Sequence, residues 1–402
     1  MANTAKIIFC IFLVLIVSIS VLLTGCGNDD QNQSSATQST TQAQTKAPTT
    51  APASTEDTAV KEKTWNYSRL KLDADNIKTD FNSIIKSKKF RGTVYFKLGN
   101  DFEFIGTNGF ANKDKHRNNS TNTCYRVASI TKQFTAAAIM QLVEQEKINL
   151  DDTINKYYPS YKYGSKITVK NLLNMTSGLK DYINTDGEIN EGTYTYDYLE
   201  YKVTADNSAK ENKKAIMDWI FKQELNFEPD SQFMYSNSSY YLLGDIIEKA
   251  SGKLYEEYIT DNLLKPLGMK SSGFKATDKL AVGYQDIYDS EWTLYPGVCY
   301  SAAGLISNVP DLLKWIDGLC SYTVISEESF EQMTTPYKGG YGYGFFISDE
   351  IISHSGKIDM YNSQLAFTKS QNQICIMLSN YAQSQPSNVL RLIMEKLAPY
   401  YG

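Results

Sequence analysis

Ser129-Ile130-Thr131-Lys132 sets a hydroxyl and an amine three residues apart, a spacing that places both side chains on one face of a helix. A serine so placed becomes a nucleophile when the neighbouring amine is neutral and takes its proton. Lysine reaches that state only where burial lowers its pKa. The tetrapeptide pattern alone means little, because it recurs at Ser68/Lys71, Ser83/Lys86, Ser177/Lys180 and Ser272/Lys275. Only the Ser129 copy opens a long apolar run, Ile130 to Val143. There the sequence predicts a lysine drawn out of water, with the positive end of a helix beside the serine. An N-cap serine with a solvated lysine accounts for the other copies.

Two further groupings carry usable chemistry. Tyr235-Ser236-Asn237 precedes an apolar helical pattern from Tyr241 to Ala250. A tyrosine whose pKa is depressed by nearby cations can take the serine proton, and the asparagine amide can reach both substrate and lysine. The same spacing recurs at Tyr182-Ile183-Asn184, and with 29 tyrosines in the chain no single one is diagnostic. His354-Ser355-Gly356 stands at the start of a late strand pattern and is unique in the chain. Its glycine suits a sheet edge that a substrate backbone approaches closely. No carboxylate dyad of the glycosidase kind is evident. With His116 and His354 the only histidines and no zinc-type cysteine spacing, the residues call for neither a metal nor an organic cofactor.

These groups need elements to hold them. Ile77, Phe81, Ile84 and Ile85 predict a helix over 73–86, followed by strands over 92–98 and 101–105 around a Gly99-Asn100 turn. The run from Ile130 to Glu146 reads as a long, mostly buried helix, and helical patterns dominate as far as Gly268. A short helix over 311–319 is opened by Pro310 and capped by Asn308. Strand patterns then cover 341–347, 364–368 and 373–378, and a last helix covers 387–397. Strands early and late around a helical middle predict an α+β fold: one sheet built from both chain ends, flanked by helices, with a mainly helical lobe inserted.

Taken in order, Ser129-x-x-Lys132, Tyr235-x-Asn237 and His354-x-Gly356 resemble the motif set of the penicillin-recognising serine hydrolases, and of the class C β-lactamase-like family in particular. Flanking text resembles that family too: Tyr125-Arg-Val-Ala-Ser129, Leu172-Leu-Asn-Met-Thr-Ser-Gly-Leu179 and Ser301-Ala-Ala-Gly-Leu-Ile-Ser307. The resemblance spans about Ile84 to Leu397. It implies an antiparallel sheet of the β-lactamase/transpeptidase kind. It also implies Ser129 as nucleophile, Lys132 and Tyr235 as its proton-handling partners, and Asn237, His354, Ser355, Gly356 and Lys357 as substrate-binding residues. The backbone N–H groups of Ser129 and Lys357 would form the oxyanion hole, such donors contributing about 2.7–4 kcal/mol each. By the same resemblance the activity is a D,D-carboxypeptidase or esterase acting on cell-envelope peptides or esters. A β-lactamase and a catalytically idle surface-tethered binding or sensor protein are the alternatives. His354 stands where β-lactamases of this class carry lysine, which weighs against the β-lactamase, and Met175 stands where relatives carry histidine.

The chain start speaks to location. Lys6, the apolar run Ile7 to Leu23 and Leu23-Thr24-Gly25-Cys26 read as a lipoprotein signal over 1–25, with Cys26 resembling a lipidated bacterial anchor. Residues 26–64, rich in Gln, Ser, Thr, Ala and Pro, form a flexible tether, and 65–402 the hydrolase domain. The expectation is an extracytoplasmic enzyme lipid-anchored to the bacterial cell membrane through Cys26. Among 402 residues, 40 Lys+Arg against 45 Asp+Glu with no basic block exclude a nucleic-acid partner. Cys124, Cys299, Cys320 and Cys375 are left as either disulfides or buried thiols.

Overall fold

The computed structural model describes residues 64–183, 208–285, 296–358 and 360–401. Residues 1–63, which hold the expected signal, Cys26 and all but the end of the expected tether, lie outside the described residues. Helix α1 (Ala74–Ser87) forms on the expected stripe and buries Ile77, Phe81, Ile84 and Ile85. Its Phe81 meets Phe96, Phe102 and Phe104 edge-on, with ring centroids 6.0, 5.8 and 5.2 Å away. Those three rings stand on strands β1 (Gly92–Leu98) and β2 (Phe102–Asn108).

The helical middle follows. Helix α2 (Thr131–Glu144) is buried almost all round, and α3 (Ala209–Lys222) and α4 (Asn237–Ser251) pack beyond it. Gly252, at φ 73°, ends α4 in the left-handed conformation that costs glycine least. Helix α5 (Pro296–Ala303) is broken at Tyr300, and α6 (Val309–Cys320) starts on the Asn308 cap with Pro310 in its first turn. The chain then returns to the sheet as β3 (Phe346–Ser348), β4 (Ile351–Ile358), β5 (Tyr361–Thr368) and β6 (Gln373–Ser379), and ends in α7 (Pro386–Leu397).

The sheet runs in the order β2-β1-β6-β5-β4-β3, with antiparallel pairing throughout. Strand β1 thus joins β6, and one sheet is made from both ends of the chain, as its sequence predicts. Two local readings are corrected. Residues 341–345 are not strand, because Gly340 and Gly344 take positive φ and turn the chain; Tyr341 makes a single bridge to Phe346, and only 346–348 run as strand in the sheet. His354 lies in the middle of an eight-residue strand, not at its start; the polar Ser-His-Ser-Gly text masks β4.

All four cysteines of the described part are free thiols, and Cys124, Cys299 and Cys375 are buried, so the disulfide alternative falls away. Among the described residues no helix is long and apolar enough to cross a membrane.

Candidate active site

The strand Tyr125–Arg126 leads into a sharp turn. Ala128 takes φ 48°, a conformation that costs an L-residue roughly 1–2 kcal/mol, and Ala128–Ile130 forms one 3-10 turn before α2 begins. Ser129 sits on this turn, half-buried, and Lys132 stands in the first turn of α2 with none of its surface exposed. The contrast with the other copies of the pattern is complete: Lys71, Lys86, Lys180 and Lys275 are all exposed. Context, not the tetrapeptide, separates them.

Three oxygens surround the Lys132 amine. Ser129 Oγ is 3.1 Å away, Asn237 Oδ1 2.7 Å and the Ala302 carbonyl 2.9 Å. Burial lowers the lysine pKa to about 7, against a smaller upward pull from Asp181 and then Cys299. A neutral amine has two N–H bonds and one lone pair. The Asn237 and Ala302 oxygens can only accept, so they take the two N–H bonds, and the lone pair is left for the Ser129 hydroxyl. This is the geometry a general base requires.

Each partner is fixed from behind. Asn237 is the first residue of α4, whose Ser236 cap side chain accepts from Ser239 N–H. Its amide nitrogen donates to both Asp181 oxygens, at 3.2 and 2.8 Å. The Ala302 carbonyl follows Tyr300, whose φ of 35° and ψ of −132° break α5. That break is held by Thr135 donating to the Ser301 carbonyl at 2.7 Å and Ser301 donating to the Tyr240 carbonyl at 2.8 Å. Met175, itself at φ 62°, receives Met234 N–H on its carbonyl and Ser236 N–H on its sulfur, at 3.0 and 3.3 Å. The methionine therefore steadies the Tyr235-Ser236-Asn237 segment from below.

Tyr235 departs from expectation. The Lys132 amine lies 4.8 Å from the centroid of its ring rather than against its hydroxyl. Burial pushes the phenol pKa well above its ordinary value, and the Ser129 hydroxyl only partly opposes this. Tyr235 is neutral, with its hydroxyl buried beside the Ser129 hydroxyl. The cation-acidified phenolate that its sequence context suggests is not formed. The second Tyr-x-Asn does not join the site: the Tyr182 hydroxyl donates to the Val298 carbonyl at 2.5 Å, and Asn184 lies outside the described residues.

His354 is also corrected. Its Nδ1 is 2.5 Å from the Ser355 carbonyl oxygen, which can only accept, so Nδ1 carries the hydrogen. Nε2, 3.2 Å from the Tyr341 hydroxyl, then accepts. Burial, with Lys132 nearby, lowers the ring pKa to about 3, so His354 is uncharged at neutral pH rather than partly charged. Ser355 is half-buried and Lys357 exposed on the same strand.

Gly356 explains how β4 meets the serine. A Cβ there would lie 2.6 Å from the Val127 carbonyl oxygen, 2.5 Å from Ser363 Oγ and 2.9 Å from Ala128 Cβ. Ser363 donates to that same Val127 carbonyl at 2.8 Å, tying β5 to the turn. A methyl at 356 therefore pushes the strand off the backbone that carries Ser129. Gly356→Ala is expected to cost about 1–3 kcal/mol in thermal melts and to slow covalent labelling of Ser129 roughly 100-fold. An unchanged labelling rate would separate the strand from the chemistry.

Asp181, the Ala302 carbonyl and Tyr341 were not singled out from sequence. The carbonyl leaves no signal in residue types. Asp181 belongs to none of the three motifs, and residues 184–207 just beyond it lie outside the described residues.

The model of the family described as Beta-lactamase matches residues 83–398. Penicillin-binding protein 4* of Bacillus subtilis (strain 168) is 28% identical over 339 residues, covering 76% of this chain and 71% of that protein. The crystal structure of penicillin binding protein from Bacillus halodurans is 26% identical with a TM-score of 0.66, covering 78% of this chain and 98% of that one. D-amino acid amidase from Ochrobactrum anthropi SV3 is 21% identical with a TM-score of 0.67, over 81% of this chain and 99% of that one, a likeness of fold alone.

Proposed function

We propose that this chain, which belongs to the beta-lactamase family of serine hydrolases, acts through an acyl-enzyme on Ser129 as a D,D-carboxypeptidase or esterase of cell-envelope peptides or esters. The observation that carries the reading is the fully buried Lys132 amine, 3.1 Å from Ser129 Oγ and held by the Asn237 and Ala302 oxygens. Ser129 Oγ attacks the acyl carbonyl as its proton passes to Lys132 Nζ. The tetrahedral oxyanion is held by the N–H groups of Ser129 and Lys357, and the lysine proton then passes to the leaving group as the old bond breaks. Tyr235, neutral and facing Ser129, relays that proton rather than starting the reaction. Water repeats the sequence on the acyl-enzyme, with Lys132 again the base.

Asn237 holds the lysine and the substrate amide, and Ser355 and Gly356 line the strand against which the substrate lies. The uncharged His354 gives the third motif no cation for a substrate carboxylate. Within the proposed class this favours esters, with their neutral leaving groups, over peptides ending in a free carboxylate, and it weighs against efficient β-lactam hydrolysis. We further propose, from the chain start alone, that the enzyme is extracytoplasmic and anchored through Cys26.

The test compares kcat/KM for a D-alanyl ester with that for the matching D-alanyl-D-alanine peptide and for benzylpenicillin. The ester is expected to lead by roughly tenfold or more, the loss of one charge-assisted contact being worth about that. The acylation rate should rise with pH through about 7, as Lys132 sheds its proton. His354→Gln should leave that limb in place, because the histidine does not titrate there. A faster peptide, or a limb that vanishes with His354, would overturn the ester reading.

A further inference from the structure

Asn237 has two ends, and only one orientation serves the base. With Oδ1 toward Lys132 the amide consumes an N–H of the amine. Rotated by half a turn, its NH2 would donate to the amine lone pair and occupy the electrons that Ser129 needs. The lysine does not choose between the two, since a neutral amine both donates and accepts. The choice is made on the far side, where Asn237 Nδ2 meets both oxygens of Asp181. A carboxylate only accepts, so it tolerates the NH2 end and repels the oxygen end.

We propose that Asp181 is a positioning residue, whose carboxylate locks the Asn237 amide with its oxygen toward Lys132 and so keeps the amine lone pair on Ser129. This rests on the reading of Lys132 as the base.

The carboxylate is itself held in place. Asp181 is 8% exposed and accepts from Ile183 N–H at 2.8 Å. The segment that carries it is laced to the first turn of α4: Ser238 donates to the Lys180 carbonyl at 2.6 Å and accepts from Tyr182 N–H at 3.0 Å. Ser177 and Ser239 hydroxyls are paired at 2.7 Å. A carboxylate at the N-terminal end of α4 is also favoured by the helix dipole. These bonds survive removal of the charge, so Asp181→Asn should fold.

Two effects of Asp181→Asn are separable. A carboxamide no longer repels the Asn237 oxygen, so the flipped amide becomes populated and the acylation rate at high pH falls, by roughly tenfold or more. The negative charge that raises the Lys132 pKa is gone as well. The acid limb of the rate profile should therefore move to lower pH, a shift that mere loosening of the fold does not produce. Asp181→Glu keeps the charge but displaces the carboxylate; its rate should fall while its limb stays.

The experiment measures labelling of Ser129 by a serine-reactive phosphonate from pH 5 to 10 in the full chain and both variants, with melting curves alongside. A lower plateau with a limb displaced to lower pH in Asp181→Asn supports the inference. Equal plateaus and limbs in all three overturn it while leaving Lys132 as base. A wild-type chain that never labels overturns the acyl-serine reading itself and the inference with it. Should Asp181→Asn fail to melt cooperatively, Asp181→Glu decides: an unchanged rate overturns the proposal, and a fall at constant limb supports it.

Discussion

Ser129→Ala is expected to remove covalent labelling altogether and to lower kcat by roughly 10^6, the scale seen when a serine nucleophile that works as a unit with its base is deleted. Intact-protein mass spectrometry with a serine-reactive phosphonate, and with benzylpenicillin, reads the result directly: one adduct on the natural chain and none on the variant. The size follows from the site's construction. Lys132 reaches Ser129 Oγ at 3.1 Å, and its other two partners, the Asn237 and Ala302 oxygens, have no proton to give it, so no second residue inherits the role of nucleophile. Thr131, the next hydroxyl in the chain, is turned away, donating to the Ala128 carbonyl at 2.6 Å. Stability should barely change, since Ser129 is half-buried and its loss leaves no cavity in the core. An adduct that persists in the variant would move the nucleophile elsewhere.

The sequence carried these motifs unevenly, for physical reasons. Burial of Lys132 was legible because an apolar run is visible in residue types, and the exposed lysines of the other four copies show how much that context decided. The sheet made from both chain ends was legible for the same reason, since strands and helices differ in period. What escaped was orientation. The type of Tyr235 suggests an acid tuned by a neighbouring cation, but the amine lies over the ring face, 4.8 Å from its centroid, and burial decides the pKa instead. The type of His354 suggests a partial charge, but burial, with the Lys132 amine nearby, holds the ring neutral. Asp181 meets Asn237 across 56 positions of sequence, a contact that leaves no periodicity to find. Turns at Gly340 and Gly344 likewise broke a strand that its apolar content promised.

Lys132→Met is the variant in which function and stability should part most widely. Activity is expected to fall by at least roughly 10^3, because the base is lost and a thioether takes no proton. Stability should move the other way, and in a manner that depends on pH. In the folded chain the lysine pKa is about 7, whereas the unfolded chain restores it to its ordinary value near 10.5. Between those values the unfolded state binds the proton and the folded state does not. Stability of the natural chain therefore rises with pH across that window. The cost of burying the amine is fully present below pH 7, where both states are protonated and the folded one holds an ill-solvated charge, and it has gone above about 10.5. Methionine has no such cost. Its gain is reduced by what it strands: the Asn237 and Ala302 oxygens lose their donor, at about 1–3 kcal/mol each. The net difference at a single pH can thus be small, but its slope cannot. Denaturant unfolding of both proteins from pH 6 to 10 should show the natural chain gaining on Lys132→Met by a few kcal/mol, about 1.4 kcal/mol for each unit of pKa shift. Parallel curves would mean that Lys132 is charged in the folded state, and a charged lysine offers Ser129 no lone pair.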